Sequence, residues 1–453
     1  MSVLRIELRR TIAPWTALVL LAIAIFYLYG LSGPIRKAPA PWGEDWVPSA
    51  LWTRMLLVFL IPVVIGAGTI QGMRDKRSGT EELFGTASRP AWHRAAKLAG
   101  VFAGLSFLAY TVVFGIAAVQ AIAGGEYFSL AWLPVFLVGG LSVIASACLG
   151  LGIGRALPFP VIAPVAAIAS FVAVVAMYLS MMNSAFGEGF LPNRVSLLAP
   201  AFENLRSVFA TTAASVDIGQ TLWFLGVAVT GFLLLAVKSV RARLLAFAPI
   251  ALGALIAIPL FPASPHDNLV LDRAAAELVC DGPVCVTRLH QDKLAELAVS
   301  GREALGLLAK LPDAPTRVVE SSAPAGYGGV PEERAPGTVF TEFESFQAKR
   351  RSPADLTKAL VAGAGVPACN EKYGDWLREE AARAVAAAWL TGDQRPDWKS
   401  YSLVSGAPTA ETAWNALRAR PEPEQRAWIL AQRQALLTCH GDPMNGLIPD
   451  TRR

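Results

Sequence analysis

The sequence predicts an α-helical polytopic membrane protein of about seven transmembrane helices, joined to a helix-rich α+β domain outside the membrane. Composition is the first observation: 54% of the 453 residues are hydrophobic and 17% are charged, with a mean hydropathy of +0.44. The second is that long apolar runs lie within residues 1–262, whereas residues 263–453 have the charge density of a soluble domain. We therefore predict two domains, 1–262 and 263–453.

Seven apolar segments have the length of roughly 20 residues that a helix needs to cross the hydrocarbon core. They are residues 14–31, 51–70, 98–122, 131–153, 161–182, 221–237 and 244–261. The last two are short and tightly joined, so a re-entrant pair is the alternative to two spans. Ionisable side chains are nearly missing from the segments, and Arg54 is expected to extend its charge toward the outer surface.

Residues 1–10 predict a short amphipathic helix on the inner leaflet, because Leu4 and Leu8 recur at four-residue spacing beside Arg5 and Arg9. A basic start before an apolar run also fits a signal peptide. Since residues 14–31 are long for a signal core, we expect an uncleaved first span.

The positions of Lys and Arg predict a cytoplasmic N-terminus. With that orientation, thirteen cations lie in cytoplasmic segments and four in the short outer loops. The cytoplasmic set is Arg5, Arg9, Arg10, Arg74, Lys76, Arg77, Arg89, Arg94, Lys97, Arg155, Lys238, Arg241 and Arg243, and the outer set is Arg36, Lys37, Arg194 and Arg206. Seven crossings then place residues 263–453 outside a bacterial cell membrane. Cations clustered at span ends also argue against a nucleic-acid partner.

Four of the five cysteines lie in the predicted outer domain, which is typical of an oxidising compartment. Four cysteines allow three pairings. We favour Cys280 with Cys285, because Asp281-Gly282-Pro283 forms a turn, and therefore Cys369 with Cys439. A zinc site is the weaker alternative, since no histidine stands at ligand spacing.

Residues 263–453 are predicted to be mostly helical. Helices are expected at residues 289–311, 370–390, 409–419 and 422–438, with strands at 316–320 and 338–343. A further helix should begin with Ser352 as cap and Pro353 at the first position. In the membrane domain, residues 201–210 are expected to form an amphipathic surface helix.

Motifs for catalysis are missing from the sequence. It contains no Gly-x-x-x-x-Gly-Lys-Ser/Thr phosphate loop, no His-Glu-x-x-His zinc motif and no Gly-x-Ser-x-Gly nucleophile elbow. Glu379 and Glu380, beside two arginines, are interpreted as a solvated helix face. We predict no catalytic residue, metal or cofactor on this chain, so any transport would take its energy from another subunit.

A charged segment, residues 71–97, separates the second and third spans and carries six Lys/Arg residues. Its middle, residues 78–84, reads as a short helix entered by a glycine. A charged helix between two spans is typical of a cytoplasmic contact with a partner, although the cations also hold the loop inside.

The layout of residues 1–240 resembles the permease subunit of a type-2 ABC exporter. The matching residues are Arg74-Asp75-Lys76-Arg77, Gly79-Thr80-Glu81-Glu82-Leu83, Ser88-Arg89-Pro90 and Lys97. Leu83 follows Glu82 directly, where the family has a spacer. The family core also has six spans, whereas a seventh here precedes the 263–453 domain.

The resemblance implies that Arg74 to Leu83 form a coupling helix that docks on a separate ATP-binding cassette subunit. That subunit would hold ATP and Mg, and two permease protomers, identical or different, would share the translocation path for a drug-like molecule, peptide or lipid. The alternatives are a membrane-anchored outer domain that binds or processes a partner, or a sensor or immunity protein.

Overall fold

The computed structural model describes residues 11–30, 42–43, 45–77, 91–124, 127–184, 189–202, 208–237, 239–322, 334–343, 352–369, 376–401, 406–442, 444 and 446–448. The chain divides into two compact units, Met1–Asp272 and Arg273–Arg453. We call the first the membrane unit and the second the disulfide unit.

The membrane unit is a bundle of long apolar helices. Its helices are α1 (Ala13–Ile25, continued by a π-helix over Phe26–Gly30), α2 (Trp46–Met55), α3 (Leu57–Arg77), α4 (Ala91–Gly124), α5 (Trp132–Ala156), α6 (Ile162–Ser184), α7 (Asn193–Ser196), α8 (Ala214–Ala236), α9 (Val240–Leu245) and α10 (Ala248–Leu260). Among the described residues, seven helices are long and apolar enough to cross a membrane, with α9 and α10 forming one of them. The prediction of seven apolar helices is confirmed.

Helices α3 and α5 lie at the centre of this unit. In both helices, 72% of the apolar stretch is buried, compared with 17% in α6. Glycines allow the close approach: a Cβ at Gly154 of α5 would lie 2.1 Å from the carbonyl oxygen of Thr69 in α3. Similarly, a Cβ at Gly231 of α8 would lie 2.3 Å from the backbone nitrogen of Leu149. Small residues at helix crossings are characteristic of packing in lipid, where the hydrophobic effect does not drive helices together.

Large apolar side chains cover the outside of the membrane unit. Trp15, Val119, Ile168 and Leu255 are each more than 60% exposed. Isolated exposed apolar residues are ordinary in soluble proteins, but such a density on long helices indicates a lipid-facing surface.

Two predictions in this unit are wrong in detail, and a third is tested only in part. The second apolar segment, predicted at 51–70, contains two helices, because α2 ends at Met55 and α3 begins at Leu57. Residues 203–207 of the helix expected at 201–210 lie outside the described residues. Of the rest, Phe202 and Phe209 lie outside helices, and Ala210 begins strand β1 (Ala210–Thr212), which pairs antiparallel with β2 (Leu269–Leu271). Arg54 does not extend to the surface and is 0% exposed.

The disulfide unit contains a four-stranded sheet of order β3 (Leu278–Asp281), β4 (Val284–Thr287), β5 (Arg317–Glu320) and β6 (Thr338–Thr341). β3 and β4 form an antiparallel hairpin, whereas β4, β5 and β6 are parallel neighbours. Helix α11 (Leu294–Leu308) connects β4 to β5, as parallel neighbours require a crossover.

Four further helices complete the unit: α12 (Pro353–Val361), α13 (Trp376–Thr391), α14 (Ala407–Arg418) and α15 (Glu422–Thr438). Ser352 caps α12 as predicted, since its hydroxyl accepts from the backbone nitrogen of Asp355. One core holds buried side chains from the sheet and all the helices, including Val318, Leu308, Trp414 and Trp428. The fold class predicted for this unit, helix-rich with a few strands, is confirmed.

Candidate functional site

The predicted coupling segment is described only at its two ends. Arg74 lies exposed in the last turns of α3, and Asp75, Lys76 and Arg77 complete that helix. Gly79, Thr80, Glu81, Glu82 and Leu83 lie outside the described residues, so a short helix there stays a prediction. α4 resumes at Ala91.

The base of this segment is packed into the membrane unit. The side-chain oxygen of Gln71, which is 4% exposed, accepts from the backbone nitrogen of Ile12 at 3.3 Å. Met73 is 1% exposed. Residues Arg74–Arg77 are therefore the last residues of α3, which is one of the two most buried helices, and do not belong to a separate loop.

The cysteines are paired as the sequence favoured. Cys280 is bonded to Cys285 across the β3–β4 hairpin, and Cys369 is bonded to Cys439 at the end of α15. Cys148 is buried in α5 and is not disulfide-bonded. Within the described residues, no group of three His, Cys, Asp or Glu side chains could hold a metal ion.

The interpretation of Glu379 and Glu380 as a solvated face is wrong for Glu379. Its side chain is 1% exposed, and one carboxylate oxygen accepts from the backbone nitrogen of Cys369, which fixes the segment that carries the second disulfide. Burial raises the pKa of the Glu380 carboxyl above its ordinary value, while Arg383 lowers it.

Glu320 and His290 form a buried polar pair in the disulfide unit. One Glu320 oxygen accepts from the backbone nitrogen and hydroxyl of Thr287 at 2.7 and 2.8 Å, and the other contacts Nδ1 of His290. The imidazole lies 5.4 Å from the Phe343 ring, measured between centroids. The carboxylate thus joins the end of β5 to the end of β4, which is a structural role.

A buried polar cluster in the membrane unit is the strongest candidate for a functional site. We call Arg54, Tyr110, Asp217 and Gln220 the Arg54 cluster. Nε and Nη2 of Arg54 donate to the carbonyl oxygen of Pro200 at 3.2 and 3.1 Å, and Nη2 donates to Gln220 Oε1 at 2.7 Å. The guanidinium carbon also lies 5.2 Å from the centroid of the Phe202 ring.

The first turns of α8 hold the chain segment that Arg54 contacts. Gln220 Nε2 donates to the carbonyl oxygens of Leu197 and Ala199 at 2.8 and 3.1 Å. Asp217 accepts from the hydroxyl of Thr212 at 2.8 and 2.7 Å with its two oxygens. Backbone carbonyls and one amide therefore surround the buried arginine on this side, and no ion pair joins Arg54 to a carboxylate among the described residues.

Several donors around this cluster have no hydrogen-bond acceptor among the residues that the structure describes. Arg54 Nη1 and the Tyr110 hydroxyl are both buried and unpartnered. The two side chains both pass over Gly139, because a Cβ placed there would lie 2.1 Å from the Tyr110 oxygen and 2.9 Å from Arg54 Cγ. Buried polar groups are nearly always hydrogen-bonded, so these two donors require an explanation.

An aromatic cluster continues from Tyr110. We define it as Tyr110, Phe136, Trp132, Trp46 and Phe128. Successive ring centroids lie 5.3, 5.9, 5.7 and 5.0 Å apart. The indole nitrogens of Trp46 and Trp132 also lack an acceptor, whereas Phe128, at the far end, is 55% exposed.

The sequence singled out Arg54 as an ionisable residue but predicted that its charge extends to the outer surface, whereas the side chain is buried. Tyr110, Asp217 and Gln220 were not predicted as site residues. Asp217 and Gln220 fell outside the predicted sixth span, which was set to begin at residue 221, whereas α8 begins at Ala214. A lone arginine within an apolar run is the signal that could have drawn attention to this site. Its partners could not be read from the sequence.

Comparisons of the chain with known proteins find no matching family model, no matching curated protein and no matching solved structure.

Proposed function

We propose that this chain is the membrane subunit of an ATP-driven exporter, which forms a translocation path and couples to a separate ATPase subunit. The sequence supports a separate ATPase because the chain contains no phosphate-binding loop of its own. The seven apolar helices and the charged residues 71–97 support the resemblance to type-2 ABC permeases. The second permease protomer of such an assembly, and ATP with Mg on the partner, are part of this proposal.

The observation that carries the proposal is the continuity of the charged segment with the centre of the bundle. Arg74–Arg77 extend α3, and α3 packs on α5 through Gly72 and Gly154 with no side chain between the backbones. α5 in turn packs on α8 at Gly231. Because these contacts are backbone to backbone, a displacement of the segment at Arg77 would move α5 and α8 without being absorbed by side-chain rearrangement.

The orientation belongs to the same proposal. The distribution of cations favours a cytoplasmic N-terminus and places residues 71–97 on the side where ATP is available. Both disulfides lie in the disulfide unit, which favours an extracytoplasmic position for that unit after seven crossings.

The test uses the full chain, tagged and purified in mild detergent from the cells that produce it. We expect the wild-type preparation to contain a phosphate-loop ATPase, identified by mass spectrometry, and vanadate-sensitive ATP hydrolysis. Glu82→Arg should remove both without lowering the amount of the chain in the membrane, because it reverses the charge at the centre of the docking segment.

The matched control is Glu126→Arg, the same substitution in a loop predicted on the opposite side, which should leave the ATPase in place. A Glu82→Arg preparation with the wild-type ratio of ATPase would contradict the docking role. A wild-type chain from which no ATPase is recovered after cross-linking would contradict the exporter class.

A further inference from the structure

We propose that the Arg54 cluster and the adjoining aromatic cluster bind an amphiphile with a single oxyanion headgroup, a carboxylate or a phosphate. The headgroup is held by Arg54 and Tyr110, and the apolar part lies along Phe136, Trp132 and Trp46. This inference concerns binding by the membrane unit, goes beyond the proposed transport function and does not depend on it.

The donors define the chemistry of the headgroup. Arg54 Nη1 and the Tyr110 hydroxyl have no acceptor among the described residues, and the side chains that carry them both pass over Gly139. Nη1 can only donate a hydrogen bond, and a hydroxyl donates readily to an anionic oxygen. A ligand that satisfies both must present acceptor oxygens, and carboxylate and phosphate are the groups that match a guanidinium best.

The charge of the site favours an anion over a neutral acceptor. Arg54 is 0% exposed, and the atoms that contact its other nitrogens are neutral: the carbonyl oxygen of Pro200 and the amide oxygen of Gln220. Asp217 attracts the guanidinium electrostatically but makes no hydrogen bond to it, and its two oxygens accept from Thr212. A buried nitrogen of a cation without an acceptor is costly in a low dielectric, so an oxyanion beside Nη1 gains the hydrogen bond and the direct ion pair that Asp217 does not provide.

The aromatic cluster defines the rest of the ligand. From Tyr110, the rings of Phe136, Trp132 and Trp46 follow in contact with one another. Phe128, the last ring of the row, is 55% exposed. Along α2, Trp46 and Arg54 stand eight residues apart, which corresponds to about 12 Å. An apolar chain that starts at the headgroup can therefore follow the rings outward, and the indole N–H groups of Trp46 and Trp132 remain available for further acceptors on the ligand.

The closest alternative is that ordered water satisfies these donors. Water and an amphiphilic anion differ in a measurable way, because only the anion adds binding free energy to the folded state and raises the melting temperature in a concentration-dependent manner.

The experiment measures thermal unfolding and tryptophan fluorescence of the full chain in phosphatidylcholine nanodiscs. Dodecyl phosphate is the probe, with dodecyltrimethylammonium and dodecyl maltoside as controls of equal chain length and inorganic phosphate as the free anion. We expect a saturable rise in melting temperature with dodecyl phosphate only. An equal rise with inorganic phosphate would assign the site to a free anion and overturn the amphiphile proposal, and an equal rise with the cationic or neutral amphiphile would overturn the headgroup assignment.

Tyr110→Phe is the decisive variant. Because it removes a hydroxyl that has no partner, the ligand-free protein should fold as the wild type does, while the affinity for dodecyl phosphate falls by about tenfold. Arg54→Gln should weaken binding further, although it also removes the contact to Pro200. The matched control is Tyr27→Phe, at a partly buried tyrosine of the π-helix that continues α1, whose hydroxyl donates to the Met55 sulfur instead. Wild-type affinity in Tyr110→Phe would overturn the site.

Discussion

The buried arginines of the two units, Arg54 and Arg433, use the same side chain in different ways. In the disulfide unit, Arg433 is 6% exposed, and its three nitrogens donate to the carbonyl oxygens of Ala364, Asp313 and Pro336 at 3.2, 3.1 and 2.6 Å. It joins three chain segments and leaves no nitrogen without an acceptor. In the membrane unit, Arg54 is fully buried, but its Nη1 has no acceptor.

Several tyrosine and tryptophan donors show the same difference. The Tyr401 hydroxyl of the disulfide unit contacts Thr391 Oγ1 at 3.0 Å and donates to Asp393 at 3.2 Å, whereas the Tyr110 hydroxyl has no partner. Indole nitrogens of the disulfide unit donate to Gln425, Glu411 and the Met444 carbonyl from Trp389, Trp398 and Trp428. A donor that folding has satisfied stabilises the fold. The disulfide unit also holds a buried amide without a partner among the described residues, that of Gln432, so the grouping of the Arg54 and Tyr110 donors beside one row of aromatic rings, and not a single unpartnered atom, indicates a ligand site.

The largest expected effect is the loss of a disulfide, and both disulfides lie in the disulfide unit. Replacing Cys369 and Cys439 by serine opens a bridge between residues 70 apart in sequence and should lower the free energy of unfolding of the disulfide unit by about 4 kcal/mol. Removing Cys280 and Cys285, which are 5 apart, should cost about 2 kcal/mol, because a short loop loses less chain entropy on closure. Hydrogen exchange of the full chain in urea measures the two units separately.

The membrane unit is the internal control for this experiment. Its peptides should exchange at the wild-type rate in both double-serine variants, since the disulfides lie between residues of the other unit. Equal losses from the two bridges would show that loop length does not set their contribution.

The next effect compares the arginines directly. Arg433→Met leaves three carbonyl oxygens without this donor, one of which, that of Ala364, lies in a buried residue, so we expect the disulfide unit to lose about 2 kcal/mol of unfolding free energy. Arg54→Met takes a donor from the Pro200 and Gln220 oxygens, but it also removes a buried charge and an unpartnered nitrogen, so it should cost less. Urea titrations followed by hydrogen exchange give both values. A larger loss from Arg54→Met would mean that this arginine is a structural clasp like Arg433.

Local sequence patterns predicted the parts of this molecule that depend on neighbours in the chain. Hydropathy located both ends of α5 and α6 to within three residues, Ser352 and Pro353 marked the start of α12, and the Asp281-Gly282-Pro283 turn indicated the first disulfide. These features are determined by residues within one or two turns of each other, where periodicity and capping are informative.

The Arg54 cluster could not be predicted in this way. Arg54 and Gln220, which are joined by a 2.7 Å hydrogen bond, are 166 residues apart, and the Pro200 carbonyl that also accepts from Arg54 is 146 residues away. Apolarity alone merged α2 with α3, and the polar side chains of Asp217 and Gln220 moved the predicted start of α8 inward. Polar residues that are satisfied by distant partners look, in sequence, like residues outside the membrane.

The smallest effect tests the contrast between the tyrosines. Tyr401→Phe removes a hydroxyl with two partners and should lower the unfolding free energy of the disulfide unit by about 1 kcal/mol. Tyr110→Phe removes a hydroxyl that has no hydrogen-bond partner among the described residues, so the unfolding free energy of the ligand-free chain should be unchanged or slightly higher. Any such increase should be absent when the ligand is bound, because the bound ligand accepts from the wild-type hydroxyl. Melting curves of both variants with and without dodecyl phosphate give four numbers. If Tyr110→Phe destabilises the ligand-free chain as much as Tyr401→Phe does, the Tyr110 hydroxyl has a partner in the fold and is not available to a ligand.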